Sequence, residues 1–283
     1  MPILAGFKIT HRCNLQCIHC PFWKRPVERE LDFAAVVRIM RELRRLGVRI
    51  LIIEGGEPLL WRDGRYSIQD VLVEAGKLFF SSCVTTNGTL PLDLPANTVW
   101  VSVDGLKETH DKIRSGSFDR VMENLGKARH SNIYANITIN RMNVGEIPEL
   151  IRFLSPKVRG ITIQFHYPYE EDGLITPPED RKRVLDEIIE LKKAGYPVAC
   201  SFETLRALKR GRWNCHDWML ANVDPDGTIN IGCYVKNRGP VACQFCGFAA
   251  HTEISLAYDL NLASIMNGWR IFRYNKKVSP DEW

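Results

Sequence analysis

One rhythm constrains this chain more than anything else in it: a strand pattern followed by a helix pattern, repeated six times before residue 170. Apolar, β-branched-rich runs at 3–10, 50–54, 79–86, 98–103, 134–139 and 160–166 each end in polar residues or glycine. Helix-like stretches lie between them, clearest at 31–46, 66–75, 118–129 and 147–154. Within 31–46, Val36, Val37, Met40, Leu43 and Leu46 recur at the three- and four-residue spacing of one helix face. Strands alternating with helices call for a parallel sheet with right-handed crossovers. The fold class is therefore α/β, and six such units read as a partial (β/α)6 barrel. An open doubly wound sheet would give the same pattern. In both architectures the functional residues gather at the C-terminal ends of the strands.

The texture changes after the sixth strand. Pro177 and Pro178 interrupt it, and 179–194 reads as a charged helix closed by Gly195 and Pro197. Asp224-Pro225-Asp226-Gly227 is a turn signal between short apolar runs at 219–223 and 228–231, which predicts a hairpin. The expected division is a barrel over 1–194 and a small C-terminal β-hairpin/helix annex over 195–283. A hydrophobic share of 45% and a charged share of 25% exclude disordered and fibrous chains. The net charge, 38 − 33 = +5, is mild and forms no basic stripe, so nucleic acid is set aside as a partner. No apolar run approaches the roughly 18 residues of a membrane span. Lys8 and His11 break the N-terminal stretch, which is not a signal peptide. A cytoplasmic location is expected.

Seven of the nine cysteines fall into two groups. An odd total without a signal peptide argues against a disulfide framework, and clustered thiols in a reducing compartment point to metal. Cys13, Cys17 and Cys20 follow the first strand directly, where three thiolates can converge on one centre. A [4Fe–4S] cluster normally takes four cysteines, so three leave one iron open. A zinc site wants four ligands, which His11 or His19 could complete. The spacing and context favour the iron–sulfur cluster. Cys215, Cys233, Cys243 and Cys246 flank and follow the predicted hairpin and can fully ligate a second cluster, with a zinc ribbon as the alternative. Cys83 lies mid-strand and reads as a core thiol. Cys200 reads as structural, with a spare ligand or a site-facing thiol as alternatives.

The strand ends carry the remaining signals. Glu54-Gly55-Gly56-Glu57-Pro58 closes the second strand, where glycines let backbone approach a ligand. Asn87-Gly88 follows the third. Ser102-Val103-Asp104-Gly105 follows the fourth, with His110, Asp111 and Arg114 soon after. Gln164 lies on the sixth strand, and His166, Tyr167 and Tyr169 follow it, placed to line a substrate end. Each piece is ordinary; one after each successive strand end is not.

On these residues the chain resembles a radical S-adenosylmethionine enzyme. The Cys13/Cys17/Cys20 loop and the Gly-Gly-Glu-Pro motif carry the resemblance. The stretch from Val101 through Arg114 to Asp119, with the four C-terminal cysteines, is similar to the SPASM/twitch subgroup, in its twitch form with one auxiliary cluster. The resemblance implies that Cys13, Cys17 and Cys20 ligate the radical-generating cluster and that S-adenosylmethionine chelates its fourth iron. It implies that Gly55, Gly56 and Glu57 hold the methionine amine, that Ser102 and Arg114 contact the carboxylate or ribose, and that Asn87 lies nearby. Gln164 is counted with these cofactor contacts. His19 stands where the family often places an aromatic residue beside adenine. Cys215, Cys233, Cys243 and Cys246 would hold the auxiliary [4Fe–4S] cluster.

The implied activity is reductive cleavage of S-adenosylmethionine to a 5′-deoxyadenosyl radical, which takes hydrogen from a substrate while the auxiliary cluster accepts a second electron. A flavodoxin or ferredoxin would supply the first. The base that takes the substrate's proton is unassigned among Glu203, His216 and Asp217. A start within about ten residues of the first strand tilts the expectation to a small molecule or cofactor precursor. Peptide modification, methyl or adenosyl transfer, and a non-enzymatic zinc protein binding nucleic acid are the alternatives.

Overall fold

The computed structural model describes residues 1–26, 30–169 and 171–273; the last ten residues of the expected annex lie outside them. Among the described residues there are ten strands: β1 (Leu4–Thr10), β2 (Ile50–Gly55), β3 (Arg62–Asp63), β4 (Tyr66–Ser67), β5 (Ser81–Thr86), β6 (Thr98–Ser102), β7 (Ile133–Ile139), β8 (Gly160–Phe165), β9 (Leu220–Val223) and β10 (Ile229–Ile231). The helices are α1 (Phe33–Leu46), α2 (Ile68–Leu78), α3 (Lys107–Ile113), α4 (Phe118–Lys127), α5 (Ile147–Leu154), α6 (Pro178–Lys193), α7 (Phe202–Arg210), α8 (Ala249–Tyr258) and α9 (Leu262–Phe272).

Eight strands form one sheet in the order β10-β9-β1-β2-β5-β6-β7-β8, while β3 and β4 make a separate small hairpin. The six strands anticipated from the βα rhythm are all parallel to their neighbours. The predicted hairpin forms as β9 and β10, with Gly227 in the left-handed region at φ 89° and its N–H donating to the Asp224 carbonyl at 2.8 Å. That hairpin does not stand apart. β9 pairs in parallel with β1, Leu4 opposite Leu220 through Phe7 opposite Val223. No local pattern marks this partner, because the pairing joins residues more than 200 positions apart.

Local chemistry sets the helix ends. Asp32 caps α1 by accepting from the Ala35 N–H at 2.7 Å, and Gly47 closes it in the left-handed conformation at φ 108°. Ser67 and Asp70 form a reciprocal capping box that starts α2 later than the 66–75 pattern suggested, after the two residues of β4.

Alternation along the strands divides the molecule into two faces. Ala5, Phe7 and Ile9 of β1, Val99 and Val101 of β6, and Ala135, Ile137 and Ile139 of β7 join the core beneath the helices. Burying each large side chain there contributes about 1.5–3 kcal/mol. The intervening residues face the concave side and are largely polar: Ser102, Asn136, Thr138, Thr162 and Gln164 line an internal cavity of about 370 Å³. Its floor is a separate apolar cluster of Cys83, Trp100, Tyr134 and Ile271, so Cys83 is a buried core thiol as anticipated. The open side of the barrel is covered by the last helices. Gly247 lies against β8, its carbonyl accepting from the Phe165 N–H at 3.1 Å, and a Cβ there would meet the Phe165 Cβ at 2.4 Å. The Ile271 carbonyl in α9 accepts from the Thr98 hydroxyl at 3.0 Å.

Candidate radical site at the sheet edge

The C-terminal ends of β1, β2, β5 and β6 converge at one mouth of the cavity. The loop carrying Cys13, Cys17 and Cys20 leaves β1 and lies directly on the end of β2. The Gly56 N–H donates to the Thr10 carbonyl at 2.7 Å, and the Glu57 N–H to the Arg12 carbonyl at 2.7 Å. A Cβ on Gly56 would lie 2.3 Å from the Arg12 carbonyl oxygen, and one on Gly55 2.4 Å from that of Thr10. The two glycines are therefore required by the seat of the cysteine loop, beyond any contact with a ligand. Gly56→Ala is expected to cost about 1–3 kcal/mol by overpacking against backbone that cannot yield. A drop in the urea midpoint together with loss of the iron held by the loop would show this; an unchanged midpoint would mean that the loop can move.

Cys13, Cys17, Cys20, His19, Gly55, Gly56, Asn87, Ser102, Arg114 and Gln164 all line the cavity. Glu57 is not among the lining residues. Its fully buried carboxylate accepts from the Asn87 N–H at 2.7 Å, the Thr86 hydroxyl at 2.8 Å and the Leu59 N–H at 3.1 Å, tying β2 to β5. Burial pushes its pKa up to about 7 from 4.5, against those three donors. Between these values the folded chain holds a proton that the unfolded chain has released, so this group's contribution weakens as pH rises through that window. Glu57→Gln removes the dependence. Relative to wild type, its urea midpoint is expected to rise between about pH 5 and about pH 8; a constant difference would mean that the carboxylate stays ionised throughout.

The loop's thiols meet hydrogen-bond donors. The Arg114 Nη1 is 3.9 Å from the Cys17 Sγ, and the Leu15 N–H and Asn87 Nδ2 lie 3.5 and 3.9 Å from the Cys13 Sγ. Asn87 is itself fixed by the Asn14 side chain at 2.8 Å and by Thr89. Burial drives the Cys17 thiol up to about 12; a bound cation would reverse this by favouring thiolate. Asp104, which sequence reasoning quoted only as part of a motif, organises the far wall. Wholly buried, it accepts from Arg114 Nε at 2.5 Å and from the Thr138 N–H at 2.6 Å, and stands 3.6 Å from His19 Nε2. Against the cost of burial, the Arg114 guanidinium and His19 hold its pKa below the ordinary value. His19 Nδ1 is buried and has no partner, and burial lowers the pKa of this imidazole to about 4. The signal that could have found Asp104 is its place on the strand end beside Ser102, two residues inside the same turn.

Lys8 and Glu54 were also missed. Lys8 is 1% exposed on the concave side of β1, 2.6 Å from Glu54 Oε1, bonded to the Tyr234 hydroxyl and over the rings of Phe22 and Tyr234. Burial lowers its pKa to about 8 despite Glu54. A lysine at an inward position of an otherwise apolar strand was the available sign.

On the annex side, burial and neighbouring thiols raise Cys215, Cys233 and Cys246, the last to about 11. Cys215 feels Cys233 and Cys243, and Cys246 feels Cys233 and Cys215, so the four thiols share one face. Among the described residues, no three His, Cys, Asp or Glu side chains are drawn tightly enough to hold a single metal ion as they stand. The donor chemistry of both groups nonetheless fits iron–sulfur ligation: soft sulfur, anion-stabilising donors at the first group, and an unpartnered imidazole nitrogen beside it. Cys200 is buried and lines the cavity beside β8. His166 pairs with Asp172 at 2.7 Å, and Tyr167 and Tyr169 line the cavity with it. Of the three bases weighed from the sequence, Glu203, His216 and Asp217, none lines the cavity.

A barrel of parallel strands with a three-thiol loop seated on a Gly-Gly turn defines the class. The model of the Radical SAM superfamily matches residues 7–154, and the chain belongs to that superfamily, whose members use a [4Fe–4S] cluster and S-adenosylmethionine. The chain is 32% identical to the mycofactocin maturase MftC of Mycolicibacterium smegmatis, over 95% of this chain and 70% of that one. It is 27% identical to the Fe-coproporphyrin III synthase of Methanosarcina barkeri, over 68% of this chain but only 53% of the relative. The fold matches Streptococcus suis SuiB, solved with S-adenosylmethionine, at TM-score 0.67 and 16% identity over 95% of this chain and 68% of that one. SuiB has also been solved with its precursor peptide SuiA, and that structure matches at TM-score 0.65 and 16% identity, over 82% of this chain and 60% of the other. No helix among the described residues is long and apolar enough to cross a membrane.

Proposed function

We propose that the chain is an S-adenosylmethionine-cleaving oxidase with one auxiliary cluster, acting on a substrate held in the barrel lumen. The observation that carries this reading is the seating of the Cys13/Cys17/Cys20 loop on Gly55 and Gly56 at the mouth of the lumen. A [4Fe–4S] cluster with S-adenosylmethionine supplies, when bound, the 5′-deoxyadenosyl radical that takes hydrogen from the substrate. Cys13, Cys17 and Cys20 hold that cluster. Gly55 and Gly56 offer backbone to the methionine end, with Ser102, Asn87 and Arg114 beside it. Glu57 acts from beneath by fixing the Asn87 backbone. Asp104 holds Arg114 and neutralises it within the wall, so that the guanidinium is positioned without rearrangement. His19, whose Nδ1 has no partner, would lie beside the adenine, and Gln164 also lines the lumen.

The division into a barrel over 1–194 and an auxiliary unit over 195–283 belongs to the same proposal, with Cys215, Cys233, Cys243 and Cys246 holding the second cluster. Held there, the second cluster would supply a one-electron acceptor for the oxidation, and a flavodoxin or ferredoxin would provide the first electron. The lumen volume favours a small molecule, or one side chain of a larger one. A peptide substrate is the second reading, favoured by the maturase name of MftC and by the SuiA peptide bound to SuiB. The test is anaerobic incubation with dithionite and S-adenosylmethionine. Formation of 5′-deoxyadenosine supports the reading, while S-adenosylhomocysteine as the sole product points to methyl transfer and overturns it.

A further inference from the structure

Away from the cysteine loop, the lumen holds a carboxylate that the reaction described above does not use. Glu253 lies on α8, the helix that helps to cover the barrel's open side, and lines the cavity together with Cys200, His251 and Asn267. One carboxylate oxygen accepts from the Ser201 N–H at 2.9 Å. The other, Oε1, is buried and has no hydrogen-bond partner. A carboxylate offers about four lone-pair sites. Leaving a whole oxygen buried and unmet is costly, and native structures carry few such atoms without a ligand or a function.

The surroundings decide what would meet it. The Lys192 ammonium is near enough to feel Glu253, but it donates to the Val198 carbonyl at 2.6 Å and makes no ion pair with the carboxylate among the described residues. The guanidinium that lines the lumen, Arg114, lies at the cysteine-loop end and is already committed to Asp104. The other carboxylate that lines the lumen, Glu54, has its own partner in Lys8. Around Glu253 the wall is Ala199, Cys200, Ala249, Ala250 and Ile254, small or apolar, with His251 and Asn267 as the polar exceptions. His251 has no hydrogen bond from its ring to another described residue, and burial lowers its pKa to about 4, so it brings no positive charge near neutrality. Beside Glu253 the lumen thus has a carboxylate oxygen without a hydrogen-bond partner in a wall of mostly small or apolar residues. Such a corner selects for a cation with N–H donors and against a carboxylate or phosphate.

We propose that Glu253 is the anchor of a substrate ammonium subsite: the substrate carries a protonated amine, which donates to Glu253 Oε1 while the carbon to be oxidised is held toward the cysteine-loop end. This rests on the reading of the lumen as the substrate site, and it narrows the substrate class to amines.

The test uses n-butylammonium, with n-butanol and n-butanoate as neutral and anionic probes of matching size. Binding is measured by equilibrium dialysis on anaerobic, cluster-loaded protein with S-adenosylmethionine present. The ammonium is expected to bind about tenfold to a hundredfold more tightly than the alcohol, the range of a charged hydrogen bond, with the carboxylate weakest. In Glu253→Gln that preference is expected to fall to the level of the alcohol. Three probes that bind alike, no saturable ammonium binding, or a preference that survives in Glu253→Gln each overturn the proposal. The wild-type ranking decides the matter even if the variant folds poorly, and iron content and Cys83 reactivity report its folding. Formation of 5′-deoxyadenosine in the same preparation is read separately, so a failed ammonium subsite is distinguishable from a failed radical reading.

Discussion

Anaerobically prepared, fully loaded protein is expected to carry about eight irons per chain, and simultaneous Cys13→Ala, Cys17→Ala and Cys20→Ala to leave about four, with 5′-deoxyadenosine formation abolished. The two losses add because the two thiol groups belong to different parts of the structure. The first leaves the end of β1 and sits on the Gly55–Gly56 turn at the end of β2. The second flanks and follows the β9–β10 hairpin, with the Cys233 N–H donating to the Asp217 carboxylate at 3.3 Å and the Cys246 carbonyl accepting from Arg181 at 2.7 Å. Removing three thiols from the first leaves the second's backbone untouched. The complementary pair Cys215→Ala and Cys243→Ala is expected to leave about four irons and to keep S-adenosylmethionine cleavage. Four irons in wild type and none in the N-terminal variant would remove the auxiliary cluster and the oxidation with it. Zinc in the second site would do the same.

Asp104→Ala is expected to destabilise the fold by about 3–5 kcal/mol, the cost of leaving a buried charge without its partner. Arg114 is 7% exposed, and its Nε sits 2.5 Å from the lost carboxylate. The Thr138 N–H loses its acceptor at the same time. Urea unfolding of wild type, Asp104→Ala, Arg114→Met and the double variant gives the coupling directly. The double variant should recover a substantial part of the loss, since removing both charges is far cheaper than removing one. A cost below about 1 kcal/mol for Asp104→Ala would place the pair in the solvated class and undo the positioning role given to it.

Much of this architecture was legible in the sequence because local patterns encode it. Alternation separates Phe7 and Ile9 from their inward neighbours, three-and-four spacing marks α1, and Asp224 to Gly227 can hardly be anything but a turn. The strand-end motifs were legible for a similar reason: parallel sheets present all their C-terminal ends on one rim, so order along the chain predicts convergence in space. What stayed hidden depends on partners far apart in sequence. Nothing local in 220–223 says that it lies beside β1. The direction of a side chain within a recognised motif was equally hidden, as Glu57 shows by turning into the β2–β5 seam. Lys8 was passed over because one lysine does not spoil an apolar strand pattern, and its meaning depends on Glu54 and Tyr234, both remote. The α8 and α9 helices went unnamed: α8 carries little apolar periodicity, and of α9 only Ser264 and Ile271 are buried.

The parallel pairing of β9 with β1 has a consequence for anyone seeking a minimal catalytic barrel. Trimming the chain ahead of 220 would not release a self-sufficient fragment. β1 would become an outermost strand with its peptide groups open along Leu4 to Phe7, the kind of bare edge that recruits strands from other molecules. Lys8 would lose the Tyr234 hydroxyl and ring that help to shelter its charge. The segment that looks like an appendage is also the cover that keeps the first strand from sticking to its neighbours, so its loss would be felt as insolubility before it was felt as lost chemistry.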